Sequence, residues 1–316
     1  MNSRPVIIAV AAGGLAVLPL LTSNTYFHHV MVMWLMFSLL ALSLNIIIGY
    51  LGELSFAHAA FFGVGAYAST LITMQAGAPI LIGLVVAALI AGLLGFAIGY
   101  VSLRIVGPQF AILTLGFGSI IYTVTNYWVD LTRGPMGIAN IPRIHVPGYG
   151  ELTEAREVFY LMLIVVAALC YACHALMASR TGRAFLAARE NAPLAASIGI
   201  NVFMMKLLGF VVATAVAGIA GGFYAHYLRV ITPELMSLHY VAALIIMVIV
   251  GGRGTIVGPI LGALIYVVLL ELLRSFGTLR LVIFAGLLTF SVIFLPDGIV
   301  SLWQRVRTKP SGEAQP

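Results

Sequence analysis

Charge is what this chain has least of. Of its 316 residues only 8% are Asp, Glu, Lys or Arg, while 62% are hydrophobic. A soluble domain carries about 25% charged residues. So small a polar fraction cannot cover a water-facing surface, and lipid is the expected solvent. Lysine is scarcer still: Lys206 and Lys309 are the only two, and neither stands in a Gly-Lys-Ser/Thr sequence. A phosphate-binding loop of that kind is excluded, so any ATP-driven process must take its motor from another chain. Two cysteines, Cys170 and Cys173, make no disulfide framework. Short alternating segments are missing too, which excludes a transmembrane barrel. The surplus of +6 is spread among loops rather than gathered on a face, and no nucleic-acid partner is expected. "CYACH" at 170–174 fits the c-type haem attachment pattern, but it lies in an apolar segment and reads better as two buried thiols beside a helix-end histidine. No cofactor or metal is expected.

What is present is a series of apolar runs. Ten can be marked, at roughly 5–22, 28–48, 55–75, 80–103, 108–128, 157–178, 207–228, 237–251, 256–275 and 279–296. Runs of this length predict an all-α, polytopic membrane helical bundle of about ten transmembrane helices, since a helix satisfies its own backbone in lipid. The first run follows Arg4 and is not followed by a small-x-small cleavage site, so it reads as a retained helix. The eighth is short and ends in glycine, and reads as either broken or re-entrant. An even count puts both termini on one side. If that side is the cytoplasm, the inner loops hold Arg4, Arg104, Arg180, Arg183, Arg189, Lys206, Arg253, Arg305, Arg307 and Lys309, leaving six arginines outside. Both termini are therefore expected in the cytoplasm. Residues 1–303 form the transmembrane domain, with an inner loop at 179–206. The tail, 304–316, is expected to be disordered.

Small residues recur every fourth position in two helices. One stripe is Gly83, Ala87, Ala91, Gly95 and Gly99; the other is Ala213, Ala217, Gly221 and Ala225. That spacing gathers each set on one helix face, where backbones can approach closely. "GYLG" and "GGRG" both precede small-residue helices, but the match is too short to establish an internal duplication.

Polar candidates are few. "GYLGELSFAHAAFFGVGAY", 49–67, places Glu53, Ser55 and His58 inside apolar sequence. Gly49 and Gly52 allow a tight turn there. Glu53 suits a helix N-terminus and Ser55 a cap, and His58 is the residue of this stretch that reads as more than structural. Glu271 and Arg274 are spaced to pair on one face. His226 and His239 are expected near the outer surface, where a solvated imidazole needs no special account. In the loop "SRTGRAFLAARENAPLAASIGINVFMMK", Asn191 can cap a short helix with Pro193 in its first turn. Arg183, Arg189 and Glu190 flank it, and it closes near Gly199. Such a helix either docks a cytoplasmic motor or lies on lipid headgroups.

These stretches, together with "GGRGTIVGPILGA" at 251–263, resemble the membrane-spanning permease subunits of bacterial branched-chain amino acid ABC importers, of the LivM type. The resemblance covers most of residues 30–296. It implies a multi-pass protein of the bacterial inner membrane, not itself an enzyme. It also implies a second homologous permease, two cytoplasmic ATPase subunits and a periplasmic binding protein as partners, besides membrane lipid. Arg183, Arg189, Glu190, Asn191, Pro193, Ala195, Ala196 and Gly199 become the ATPase-coupling segment. The chain departs from the family in carrying Glu53 where Gln is commoner and Ala57 where Gly is commoner. Permeases for urea, short amides or other amino acids share the motifs. An ion-coupled carrier acting alone and a non-transporting scaffold are the readings from other classes.

Overall fold

The computed structural model describes residues 24–276 except Val106 and Pro147, together with 13–17, Pro19, Ile283, Gly286, Gly298 and Ile299. The tail at 304–316 lies outside the described residues, as do most of the predicted first and tenth segments. Ten helices position everything discussed below. They are α1 (Thr25–Asn45, continuing as a π-helical turn, Ile46–Leu51), α2 (His58–Gln75), α3 (Ile80–Ser102), α4 (Pro108–Tyr127) and α5 (Ala155–Ala178). After them come α6 (Arg180–Glu190), α7 (Ala192–Ser197), α8 (Val202–Leu228), α9 (Leu238–Gly251) and α10 (Val257–Leu272). Two-residue strands add little area: β1 (Ile138–Ala139) pairs antiparallel with β4 (Val230–Ile231), and β2 (His145–Val146) with β3 (Gly150–Glu151). The chain is thus an all-α, multi-pass membrane protein.

Among the described residues, five helices are long and apolar enough to cross a bilayer: the 25–51 rod, α3, α4, α5 and α8. Their burial differs sharply. The rod's apolar window is 94% buried, whereas those of α4 and α5 are 28% buried. The rod is the axle of the bundle, and α4 and α5 leave most of their surface exposed. Leucines such as Leu89 and Leu93 on α3 are exposed as well. Helix α2 carries Ser, Thr and His among its apolar residues, and it is buried almost throughout. It crosses inside protein, not inside lipid.

The small-residue stripes lie at the closest helix contacts. A Cβ at Gly221 would strike the Phe62 carbonyl and come within 2.8 Å of the Ala66 nitrogen. Gly218 faces the Ala87 carbonyl and Ala91, while Gly95 faces Thr214 and Gly83 faces Ser69 and Thr73. Gly99 packs under Phe210 and Leu207. Ala87, Ala91, Ala213, Ala217 and Ala225 are wholly buried. In lipid, where no hydrophobic force drives apolar helices together, such close contacts hold the α2–α3–α8 layer by dispersion, with a hydrogen bond between Ser69 and His226 added across α2 and α8.

The bundle contains an inverted repeat. The 25–51 rod and α8 are both 27 residues long. Each is followed by a stretch without α-helix (52–57, or 229–237 with its 3-10 turn at Pro233–Met236), then by a shorter helix, α2 or α9, and then by another, α3 or α10. The rod ends beside the start of α8, where the Leu51 side chain lies against Gly209, so the second set runs in the opposite sense. The sets interlock: α8 packs on α2 and α3, and α1 packs on α9 and α10. The sequence echo is Tyr50-Leu51 … Glu53-Leu54 … His58 against Tyr227-Leu228 … Glu234-Leu235 … His239. "GYLG" and "GGRG" are not the corresponding pair.

Both short helices begin part-way along the bundle. His58, the first residue of α2, meets Ser43. From Ser43 to the rod's end at Leu51 is about 12 Å at 1.5 Å per residue. The predicted start at residue 55 is therefore too early, because residues 52–57 climb extended to reach that level. Helix α9 follows a 3-10 turn, Pro233–Met236, whose Met236 side chain packs against Gly63 of α2. The eighth segment is neither broken nor re-entrant: α9 is continuous, and its far end at the 252–255 bend lies beside Gly49, at the opposite end of α8 from Leu228.

Candidate functional site

Loop 179–206 folds into two helices with defined ends. Ser179 caps α6 by accepting from the Gly182 N–H at 3.2 Å. Asn191 caps α7, its Oδ1 accepting from the Leu194 N–H at 3.0 Å, and Pro193 occupies the first turn. Gly199, at φ 88°, closes the segment in the left-handed region that favours glycine. On α7 one face is fixed and the other is free. Ala195 is buried, while Leu194 is 61% and Ile198 70% exposed. Ala196 is exposed as well, and the Glu190 side chain stands out at 75% exposure. Arg183 folds back to donate to the Ala178 carbonyl at 2.9 Å.

Arg189 ties this loop to the membrane helices. Its guanidinium Nη1 donates to the Gly49 carbonyl in the π-helical turn. Its aliphatic stem lies over Gly52, which turns the chain at φ 75°. Glu190 sits 3.9 Å from the Arg189 Nε, an exposed contact of small energetic weight. The glycine turn after α9 closes on the same place: the Asn45 side chain accepts from Gly254 N–H and donates to the Thr255 carbonyl, both at 2.8 Å. One turn, 49–52, therefore receives Arg189 from the loop and the 252–255 bend from the second repeat.

Glu53 does not serve a helix N-terminus. Its carboxylate pairs with the Lys206 ammonium at 2.5 Å, and the two side chains are 8% and 11% exposed. This pair joins the irregular 52–57 segment to the first turns of α8. Nor does Ser55 cap α2: Ala57 is the capping residue, without a side-chain bond, and the Ser55 hydroxyl has no partner among the described residues. The extended climb explains both. Glu53 is held sideways by Lys206, and the Phe56 N–H is taken by Thr114 of α4 at 3.1 Å, so the helix starts only beyond them. His58 is fully buried, with Nε2 2.7 Å from the Ser43 hydroxyl. That hydroxyl already donates to the Leu40 carbonyl at 2.6 Å. His58 must then supply the proton from Nε2, leaving Nδ1 bare and unpartnered.

The other candidates resolve locally. Cys170 and Cys173 are buried free thiols. Arg274 lies 3.5 Å from Glu271 on an exposed face. His226 is not solvated, as expected from sequence, but buried, bonded to Ser69 Oγ at 3.0 Å and to the Pro142 carbonyl at 2.8 Å. It sits inward because it follows Gly222 by four residues, on the face of α8 that packs against Ser69 of α2. Among the described residues no three His, Cys, Asp or Glu gather as metal ligands. Beside the loop, an open groove of about 520 Å³ runs between Leu103, Arg104, Ala192, Val202, Phe203 and Lys206. Arg104 lies over the Tyr100 ring at 4.5 Å.

Sequence reasoning missed three partners: Lys206 for Glu53, the Gly49 carbonyl for Arg189, and Asn45 for the 254–255 bend. A signal existed for the first. Glu53 is a lone carboxylate in apolar sequence, and Lys206 is the lone lysine before the tail.

Residues 26–294 match the family described as the permease component of branched-chain amino acid transport systems. The chain is 28% identical over 305 residues to the high-affinity branched-chain amino acid transport system permease protein LivM of Salmonella typhimurium LT2, covering 90% of this chain and 72% of that one. It is 29% identical over 290 residues to LivM of Escherichia coli K12, covering 85% and 68%. Against the LivH permease protein of E. coli K12 the identity is 27% over 285 residues, covering 84% and 91%. No solved structure gives a significant match.

Proposed function

The chain belongs to the family of permease components of branched-chain amino acid transport systems, and from that premise we propose that it is the membrane-spanning subunit of an ATP-driven importer of leucine, isoleucine and valine. It works in the bacterial inner membrane with about ten spans and both termini in the cytoplasm, an orientation supported by the distribution of Arg and Lys. A second, homologous permease completes the pathway. Two ATPase subunits bind below, and a periplasmic binding protein delivers the amino acid from above. Similarity to both LivM and LivH, which bear the name of one transport system, supports a paired permease.

Loop 179–206 is the coupling element in this reading. The observation that carries it is the Arg189 bond to the Gly49 carbonyl. Leu194, Ala196 and Ile198 offer an apolar face to the motor, and Arg189 passes its movement to the turn between α1 and α2. Glu53 and Lys206 then keep α8 in step with that turn. Hydrolysis itself belongs to the partner ATPases.

The test is reconstitution. Proteoliposomes holding the assembled complex should take up radiolabelled leucine only with ATP and the binding protein, and a protonophore should leave uptake unchanged. Uptake by this chain alone, abolished by a protonophore, would mean an ion-coupled carrier and refute the proposal.

A further inference from the structure

The inverted repeat leaves one carboxylate without the partner that its counterpart has. Glu53 and Glu234 occupy equivalent places, each between a 27-residue rod and a short helix and each followed five residues later by a histidine at the start of that helix, although Glu53 lies in irregular backbone and Glu234 in a 3-10 turn. Glu53 is buried against Lys206 at 2.5 Å. Glu234 has no ion pair among the described residues, and its side chain is on an exposed face. Yet it does not stand clear of the bundle. Two residues on, Met236 packs against Gly63, which lies inside the length of α2. An ionisable group within the span of a membrane bundle faces either protein or water, not hydrocarbon.

Three further features converge on the same turn. Helix α9 is 14 residues long, and its capping residue, Ser237, makes no side-chain cap bond. The N–H groups of Leu238 and His239 find no acceptor among the described residues. The Ser237 hydroxyl oxygen is sealed and unpartnered. On α2, Tyr67 and Thr70 follow Gly63 at four and seven residues, hence on the face against which the turn packs. Both are buried, and neither hydroxyl has a partner. The turn thus carries an uncompensated negative group and, within one helical turn of it, unfilled donors.

We propose that the 233–239 turn is a substrate way-station that recognises the zwitterionic head common to amino acids. The α-ammonium binds Glu234, taking the place that Lys206 takes at Glu53. The α-carboxylate binds the free N–H groups at the start of α9, whose helix dipole favours an anion. Side-chain selectivity then lies elsewhere, and Leu238, 57% exposed, offers only an unshaped apolar surface. The inference rests on the importer reading, and it identifies the part of this chain that the cargo touches.

The experiment uses the complete complex in proteoliposomes with wild type, Glu234→Gln, Glu234→Asp and Ser237→Cys. Glu234→Gln should lower the turnover of leucine uptake at least tenfold. It should leave ATPase stimulation by the loaded binding protein within twofold, and Glu234→Asp should restore much of the uptake. A membrane-impermeant thiol reagent should label Ser237→Cys while ATP drives the complex out of the state in which this side chain is sealed, and transported leucine should slow that labelling. Uptake by Glu234→Gln at the wild-type rate overturns the proposal while leaving the importer reading intact. Loss of the second permease from the purified Glu234→Gln complex also overturns it, by showing a fixed interface pair. Wild-type complex that fails to take up leucine at all removes the importer reading and the way-station with it. Ser237→Cys that stays unlabelled in every nucleotide state overturns the way-station alone.

Discussion

Removing the Lys206 ammonium should destabilise this protein far more than removing it together with the carboxylate it serves. Lys206→Met preserves the length of the stem and its packing near Phe203, and strips only the charge. Glu53, 8% exposed, is then left ionised with no counter-charge. Breaking a buried pair from one side costs about 3–5 kcal/mol, because the remaining ion keeps its desolvation penalty. In the double variant Lys206→Met/Glu53→Gln no buried charge remains. The loss should shrink to about 1 kcal/mol, the worth of one net hydrogen bond. With Glu53→Gln costing about 2 kcal/mol, the two single losses together exceed the double loss by about 4–6 kcal/mol, a coupling above the usual range for residues in contact. Glu53→Gln alone, which keeps an acceptor for the ammonium, should be intermediate. The assay is reversible unfolding of the purified permease in mixed micelles, run on all four proteins as a cycle. Coupling under about 0.5 kcal/mol would refute the reasoning: the pair would then be a chance approach of two solvated groups.

Two more outcomes follow from the packing. Gly221→Ala should cost about 3 kcal/mol, since the new methyl meets the Phe62 backbone carbonyl, which cannot rotate aside. Gly116→Ala, with nothing within 4 Å, should be neutral or stabilise by about 0.5–1 kcal/mol, and thermal midpoints in detergent compare the two. Ile198→Glu, at a site 70% exposed, should leave permease stability within about 0.5 kcal/mol. The same change should abolish co-purification with the ATPase subunits; ATPase retained on the purified complex would remove α7 from the docking surface.

Much of the fold is legible in sequence because lipid imposes simple rules. Long apolar runs can only be helices, and small residues at every fourth position mark a face of close approach. Asn191 is readable as a cap because its reach to the Leu194 N–H is local. The part-way starts of α2 and α9 are not readable in this way. Ser55 looks like a cap in its own neighbourhood, but Lys206, Thr114 and Ser43, from three other helices, decide where α2 begins. The links that tie the loop to the bundle are equally non-local: Arg189 reaches back to Gly49, and Asn45 reaches forward to the 254–255 bend. The repeat is hidden in the sequence because its second copy is inverted and shares only a handful of residue identities with the first.

The most direct measurement is the number of leucines carried per ATP hydrolysed by the reconstituted complex, with Arg189 intact and with Arg189→Lys. Lysine keeps the positive charge and most of the stem but lacks the planar fork that spans the 49–52 turn. If motion passes from the motor through Arg189 to that turn, Arg189→Lys should hydrolyse ATP within about twofold of wild type and carry at least tenfold fewer leucines per ATP. An unchanged ratio would contradict the account, because the coupling helix would then be driving the pathway by a route that does not use this bond.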